Sequence, residues 1–367
     1  MKEAFLQNRL EERARQQALR SLQLAGGKVD FCSNDYLGIV HDRLLEKHPA
    51  IGEELAGGST GSRLLAGHSR LMDETESLLA AFHQAEAALL FNSGYDANLG
   101  LLSCVPQRGD TILYDYLSHA SLRDGIRLSF AQAHAFAHND LNELEDRLRR
   151  AKGRVFVVTE SVFSMDGDVC PLNDLAALCQ TWGAHLIVDE AHATGVMGPR
   201  GAGLVQQTGL ADQVFARVHT FGKACGAHGA AVLGSRTLRD YLINFARPLI
   251  YTTALPPHSV ARVRASYQLF PGLEAERERL GRLIRQFTAG AAGPHLLASG
   301  TPIQAVVIPG NSQVREVARA LQQNNLDVRP VLYPTVPRGL ERLRVVLHSF
   351  NTEAEVELLL NTLKNSV

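Results

Sequence analysis

Arg154-Val155-Phe156-Val157-Val158-Thr159 and His185-Leu186-Ile187-Val188-Asp189 are the two runs on which the reading of this chain turns. Both are almost continuously apolar and rich in branched side chains, as expected of strands buried on both faces. Between them Pro171-Leu172-Asn173-Asp174 opens a helical segment that reaches Trp182. Strand, helix and strand at this spacing make a βαβ unit, so the two strands should be parallel neighbours. Open α/β sheets bind ligands beyond the carboxyl ends of their strands. Ser164, Asp189 and His192 fall there.

Residues 213–219 alternate Val214, Ala216 and Val218 against Phe215, Arg217 and His219, which reads as another short strand. It runs into Thr220-Phe221-Gly222-Lys223, where Gly222 is expected to allow a sharp turn and keep bulk away from the amine. A phosphate-binding P-loop needs glycine five positions before the Gly-Lys pair and Ser or Thr after it. Arg217 and Ala224 occupy those positions, so that reading fails. A solvated surface lysine and a Schiff-base lysine both remain open, the second because an amine loses its proton when desolvated or placed near positive charge.

Towards the N-terminus, residues 2–24 have helical spacing of Phe5, Leu6, Leu10 and Ala14, with Gly26-Gly27 as the expected stop. Gly57-Gly58-Ser59-Thr60-Gly61-Ser62-Arg63 is either a plain flexible loop or a backbone that approaches a ligand closely. Residues 71–82 read as a helix and residues 87–91 as a buried strand passing through Asn92-Ser93-Gly94-Tyr95 into a helix with Leu99, Leu101 and Leu102. Such a helix N-terminus suits a phosphate, although Ser93 or Asn92 alone means no more than an N-cap. Residues 111–115 form a further strand ahead of Ser118-His119-Ala120-Ser121. From Leu255-Pro256-Pro257 one long helix is expected to about Ala289, followed by strands at 303–308, 326–331 and 343–347. Helices are expected at about 313–325 and after Thr352. The expected organisation is an N-terminal helix and linker (1–50), a large α/β domain (51–255), and a connecting helix with a small α+β domain (256–367).

At 367 residues and a formal net charge of −1, the chain can bury a large core and has no general electrostatic grip on nucleic acid or anionic membranes. No apolar run is long enough for a membrane span, and Met1-Lys2-Glu3-Ala4-Phe5 is no signal peptide, so a cytoplasmic location is expected. The five cysteines are scattered with no C-x-x-C pair, which suggests neither a disulfide framework nor a zinc site.

Asp189-Glu190-Ala191-His192 also occurs at a strand end in a class of nucleic-acid helicases, but that class needs the missing P-loop. Asp189 and His192 as metal ligands lack a clear third partner, so no metal is expected. A heteroaromatic cation with a phosphate accounts for more. Pyridoxal phosphate works as an electron sink when a carboxylate keeps its ring nitrogen protonated, a role for Asp189. His192 can then bond the phenolic oxygen, His119 can stack on the ring, and Lys223 can form the Schiff base.

Six motifs in order carry a resemblance over nearly the whole chain: Asn34-Asp35-Tyr36-Leu37-Gly38, Ser93-Gly94-Tyr95, Leu117-Ser118-His119-Ala120-Ser121, Phe163-Ser164-Met165-Asp166-Gly167, Asp189-Glu190-Ala191-His192-Ala193-Thr194-Gly195 and Thr220-Phe221-Gly222-Lys223. The chain resembles the α-oxoamine synthase family, pyridoxal-phosphate enzymes of the aspartate-aminotransferase-like fold (fold type I). The resemblance implies a homodimer with active sites at the subunit interface. It implies that Gly94 and Tyr95 hold the cofactor, His119 stacks on it, Ser164 and His192 bond its polar edge, and Asp189 pairs with the ring nitrogen. It also implies that Thr220 meets the phosphate and that Thr253 reaches it across the dimer. Arg344 matches the arginine that holds the amino-acid carboxylate, and Arg20, Asn34 and Thr335 match further substrate contacts.

Phe136-Ala137-His138-Asn139-Asp140, Asn244-Phe245-Ala246-Arg247 and Pro334-Thr335-Val336-Pro337 are most similar to the branch that joins L-alanine to a pimeloyl thioester on coenzyme A or an acyl carrier protein. Branches using glycine or serine are the alternative. A catalytically silent protein of the same fold would be expected to lack Lys223 or Asp189, and both are present. Met72 and Asn351 stand where the family often has histidine.

Overall fold

The computed structural model describes residues 3–366 apart from 25, 47, 53, 54 and 292–294. Its strands are β1 (Val29–Asp30), β2 (Ala87–Phe91), β3 (Thr111–Asp115), β4 (Gln132–Phe136), β5 (Val155–Glu160), β6 (His185–Asp189), β7 (Ala216–Thr220), β8 (Ala230–Gly234), β9 (Ile303–Val307), β10 (Leu326–Asp327), β11 (Arg329–Val331) and β12 (Arg342–Val346). Cα packing divides the chain into two units. The larger holds Leu37–Ser164 and Val169–Ala275, and the smaller holds Met1–Tyr36, Met165–Asp168 and Glu276–Val367.

In the larger unit the expected βαβ unit is present. β5 and β6 are parallel neighbours with Glu160 opposite Asp189, joined through the helix Leu172–Trp182. They lie inside a seven-stranded sheet of order β2-β8-β7-β6-β5-β3-β4, parallel except that β8 runs against both its neighbours. The apolar runs are buried because helices cover the sheet. On one face Phe156, Val158, Ile187, Ala216 and Val218 pack with Leu101 and Leu102 of the helix Gly94–Cys104 and with Leu122 and Ile126 of the helix Ala120–Leu128. Each such side chain contributes about 1.5–3 kcal/mol on burial. Those two helices meet closely at Gly125, where a Cβ would stand 2.8 Å from the Asn98 carbonyl oxygen.

The smaller unit contains the antiparallel sheet β11-β12-β9 and the parallel pair β1-β10, with helices Asn311–Gln323 and Glu353–Lys364. The last of these starts with a capping box between Thr352 and Glu355, which satisfies two orphan N–H groups at once.

Several elements differ from expectation. The N-terminal helix is Ala4–Arg15 and stops at Gln16, well before Gly26-Gly27; Lys2 of the expected span lies outside the described residues. None of its residues is buried, so no packing carries the helix further once Gln17 enters the left-handed region at φ 51°. The expected long helix is instead Pro257–Leu269, a 3-10 turn Phe270–Gly272, and Glu274–Gly290. Pro271 and Gly272 break it. The first of these helices packs on Arg70–Phe82 within the larger unit. Residues 326–331 form two short strands in different sheets, because β10 pairs with β1 while β11 pairs with β12. β4 and β8 were not foreseen. The first is an edge strand whose Gln132, Ala133 and His134 are exposed, so it lacks the apolar pattern that betrays a strand. Among the described residues no helix is long and apolar enough to cross a membrane.

Candidate active site

Parallel strands that end together bring their following residues together, and the larger unit does this with β5, β6 and β7. Asp189, at the end of β6, is 5% exposed. Its carboxylate is gripped on both oxygens: the Ala191 N–H donates to Oδ1 at 2.9 Å and the Asn98 amide to Oδ2 at 2.7 Å. Two donors, one on each oxygen, fix the direction of the carboxylate.

His119 caps the helix Ala120–Leu128, and its own N–H donates to the Glu160 carboxylate at 2.5 Å. Its pKa lies below the ordinary imidazole value. Burial is the main cause, the Asp189 charge opposes it, and the Lys223 cation adds to it. Glu160 is pushed well above the usual carboxylate range, first by burial and then by the Asp189 charge, with the His119 N–H and Lys223 pulling the other way. Lys223, His119, Asp189 and Glu160 thus feel one another electrostatically. The Lys223 side chain is half-buried, in the turn after β7 whose Gly226 N–H closes on the Lys223 carbonyl at 2.8 Å. Gly222 is not sterically required there, because a Cβ would meet only the Ala227 carbonyl oxygen at 3.8 Å. His192 is buried in the turn after β6, and Ser164 is half-buried in the turn after β5.

Gly94 and Tyr95 open the helix Gly94–Cys104 ahead of its first backbone bond, from the Ala97 N–H to the Ser93 carbonyl at 3.0 Å. Ser93 caps the helix by accepting from the Asp96 N–H at 3.0 Å. A Cβ on Gly94 would run into the Thr220 methyl, so glycine is what lets the helix end and the end of β7 come together. The Thr220 hydroxyl oxygen is buried with no hydrogen-bond partner. An orphaned hydroxyl beside a helix N-terminus fits a phosphate, which would accept from both. The Tyr95 ring is exposed and its hydroxyl donates to Asp124. Thr253 is exposed, and its carbonyl accepts from the Asn92 amide at 2.8 Å.

The smaller unit pairs the expected substrate residues two by two. On β12 the Arg344 guanidinium donates to the Asn34 side-chain Oδ1 at 2.9 Å, and the Tyr36 hydroxyl donates to the same atom at 3.1 Å. Tyr36 is fully buried and its pKa is pushed up to about 12, burial outweighing the nearby Arg344 charge, so it stays a donor. The Arg20 guanidinium donates to the Thr335 hydroxyl at 2.8 Å, both side chains being exposed. Asn351 is a strut, accepting from the His348 N–H at 2.9 Å and donating to the Asp30 carbonyl at 3.2 Å. Met72 is buried on its helix. Among the described residues no group of three or more His, Cys, Asp or Glu side chains is placed to hold a metal.

The model of the family described as aminotransferase class I and II matches residues 26–363. The chain belongs to the class I and II aminotransferase family. Within it this family member is an α-oxoamine synthase, a pyridoxal-phosphate-dependent acyltransferase of fold type I. It is 42% identical to the 8-amino-7-oxononanoate synthase of Emericella nidulans, over 93% of this chain and 89% of that protein. To the 8-amino-7-oxononanoate synthase of Pseudomonas putida it is 44% identical, over 91% of this chain and 86% of that protein. The serine palmitoyltransferase of S. paucimobilis, solved with PLP and myriocin bound, superposes with a TM-score of 0.89 at 29% identity, covering 100% of this chain and 97% of that one.

Sequence reasoning missed Asn98, Ser121 and Glu160 in this aminotransferase-family site. Asn98 had a readable signal, since it lies one turn beyond Gly94 and so on the same helix face. Glu160 is the residue opposite Asp189 in the sheet register, which no local pattern states.

Proposed function

We propose that the chain joins L-alanine to a pimeloyl thioester, on coenzyme A or an acyl carrier protein, with loss of carbon dioxide to give 8-amino-7-oxononanoate for biotin synthesis. The observation that carries this is the 42–44% identity to enzymes of that name over more than nine-tenths of the chain. Bound pyridoxal phosphate supplies an electron sink through its protonated ring.

The residues then take the following roles. Asp189 holds the proton on the ring nitrogen, His192 and Ser164 bond the ring's polar edge, and His119 packs against its face. The Gly94 and Tyr95 N–H groups with the Thr220 hydroxyl hold the phosphate, and Thr253 does so from the neighbouring subunit of a homodimer whose active sites lie at the interface. Lys223 tethers the cofactor and, once released, its Nζ takes the proton from the substrate Cα. Lys223 and Asp189 act in opposite senses on the Glu160 carboxyl, the lysine lowering its pKa and the aspartate raising it. Arg344, steadied by Asn34, holds the amino-acid carboxylate, since its planar fork matches two oxygens. Arg20 and Thr335 hold the acyl donor. The enzyme is placed in the cytoplasm.

Use of glycine or serine is the second reading, favoured by the superposition on a serine palmitoyltransferase. The experiment is thiol release from pimeloyl-coenzyme A with L-alanine, glycine or L-serine, with Lys223→Ala as the blank. Release with alanine alone is expected. Release with glycine or serine but not alanine refutes the substrate assignment, and undiminished release by Lys223→Ala refutes the role of that lysine.

A further inference from the structure

The amide of Asn98 is 1% exposed and uses both its hydrogens. Nδ2 donates to Asp189 Oδ2 at 2.7 Å and to Ser121 Oγ at 3.0 Å. Ser121 Oγ in turn lies 2.8 Å from His119 Nδ1, and the Ser121 backbone N–H points at the same nitrogen at 3.2 Å. A backbone N–H can only donate, so Nδ1 is an acceptor and the ring proton sits on Nε2. Having accepted from Asn98, the Ser121 hydroxyl has its own hydrogen left for Nδ1. Every bond in this chain therefore has one direction. Flipping the amide would turn Oδ1 against an Asp189 carboxyl oxygen and leave that oxygen without its donor, so the pairing fixes the orientation; Oδ1 itself is buried and unpartnered. The arrangement exists because Gly125 lets the helices carrying Asn98 and Ser121 come close, a Cβ there standing 2.8 Å from the Asn98 carbonyl oxygen.

We propose that Asn98 is a positioning residue whose single amide orients the Asp189 carboxylate and, through Ser121, holds His119 as its Nε2–H tautomer. The inference rests on the pyridoxal-phosphate reading of this site. It gives one residue control of the groups assigned to the edge and the face of the cofactor ring. His119 is faced by Asp189 from β6 and Lys223 from the turn after β7, with Glu160 from β5 on its backbone N–H, so the ring's protonation is exposed to two charges unless the relay fixes it. An aspartate at 98 would set a second carboxylate against Asp189.

The test compares the holoenzyme with Asn98→Ala, Asn98→Asp and Ser121→Ala. It reads the dissociation constant of pyridoxal phosphate, the visible absorbance of the bound cofactor across pH, and the 15N shifts of the His119 ring, assigned with His119→Gln. Asn98→Ala should weaken cofactor binding about tenfold or more and shift both the absorbance titration and the His119 signals. Asn98→Asp should weaken it further. Ser121→Ala should leave affinity within about twofold while moving the His119 signals alone. Wild-type affinity, titration and His119 signals in a folded Asn98→Ala overturn the inference. If that variant does not fold, unchanged His119 signals in Ser121→Ala overturn it. A wild-type protein that binds no pyridoxal phosphate refutes the cofactor reading instead, and the His119 signals of the cofactor-free protein then decide the relay.

Discussion

Gly94→Ala adds one methyl group at the point where the helix Gly94–Cys104 meets the end of β7. The added Cβ would overlap the Thr220 methyl, and its next neighbour is Thr220 Cβ at 3.5 Å. Threonine is stiff about χ1, so it can yield only by turning its hydroxyl out of the place it now occupies or by pushing the helix end away. Either response damages the corner assigned to the phosphate. Overpacking of this kind costs about 1–3 kcal/mol, and the gain in helix propensity of Ala over Gly is at most ~1 kcal/mol and smaller at a first-turn position. The net expectation is about 1–2 kcal/mol of lost stability. Cofactor affinity should fall further than stability, because the hydroxyl and the N–H groups lose their common focus. Thr220→Ser keeps the hydroxyl and removes the methyl, so it should relieve the clash. The assay is a double-mutant cycle of Gly94→Ala and Thr220→Ser, measured by denaturant unfolding and by cofactor titration. The double variant should recover most of both losses, with a coupling of about 1 kcal/mol or more. If Gly94→Ala binds the cofactor as tightly as wild type and is equally stable, the close approach is not what glycine serves, and the reasoning fails.

Arg344→Lys replaces a planar fork with a point charge and loses the bond to Asn34. KM for the amino acid should rise about tenfold or more while KM for the acyl thioester stays within about twofold; an unchanged amino-acid KM would remove Arg344 from the carboxylate role. Acid should destabilise the fold through His83, which is fully buried, donates from Nδ1 to the Ala202 carbonyl at 3.1 Å and accepts from Tyr267 at 2.9 Å. Burial, and then the Arg217 charge, hold its pKa down at about 3, against 6.5 when unfolded. The unfolded chain therefore binds the extra proton first, so stability is full above pH 6.5 and is lost as pH falls towards 3. At ~1.4 kcal/mol per unit this is worth several kcal/mol. His83→Asn should flatten the acid limb of a plot of unfolding free energy against pH, and an equally steep limb would show that His83 is not the group responsible.

The apolar runs at 154–159 and 185–189 told of a parallel sheet without help, because a strand buried on both faces has to be written in apolar residues. The position of Ser164, Asp189 and His192 beyond strand ends followed from the same pattern. Elements whose character depends on neighbours were not legible. Edge strand β4 is exposed and polar, the break at Pro271-Gly272 divides a stretch of helical composition, and the N-terminal helix ends where no core receives it. Site chemistry divided the same way. Residue types and motif order determined the family and the cofactor and singled out Lys223 for the proposed lysine role, since each is a matter of which functional groups the chain possesses. Only the tertiary structure decided that Gly94 is demanded by Thr220, that Glu160 stands opposite Asp189, and that one amide joins Asp189 to Ser121. Those are distances between residues far apart in the chain, set by strand register and by how closely two helices can pack, and local sequence encodes neither.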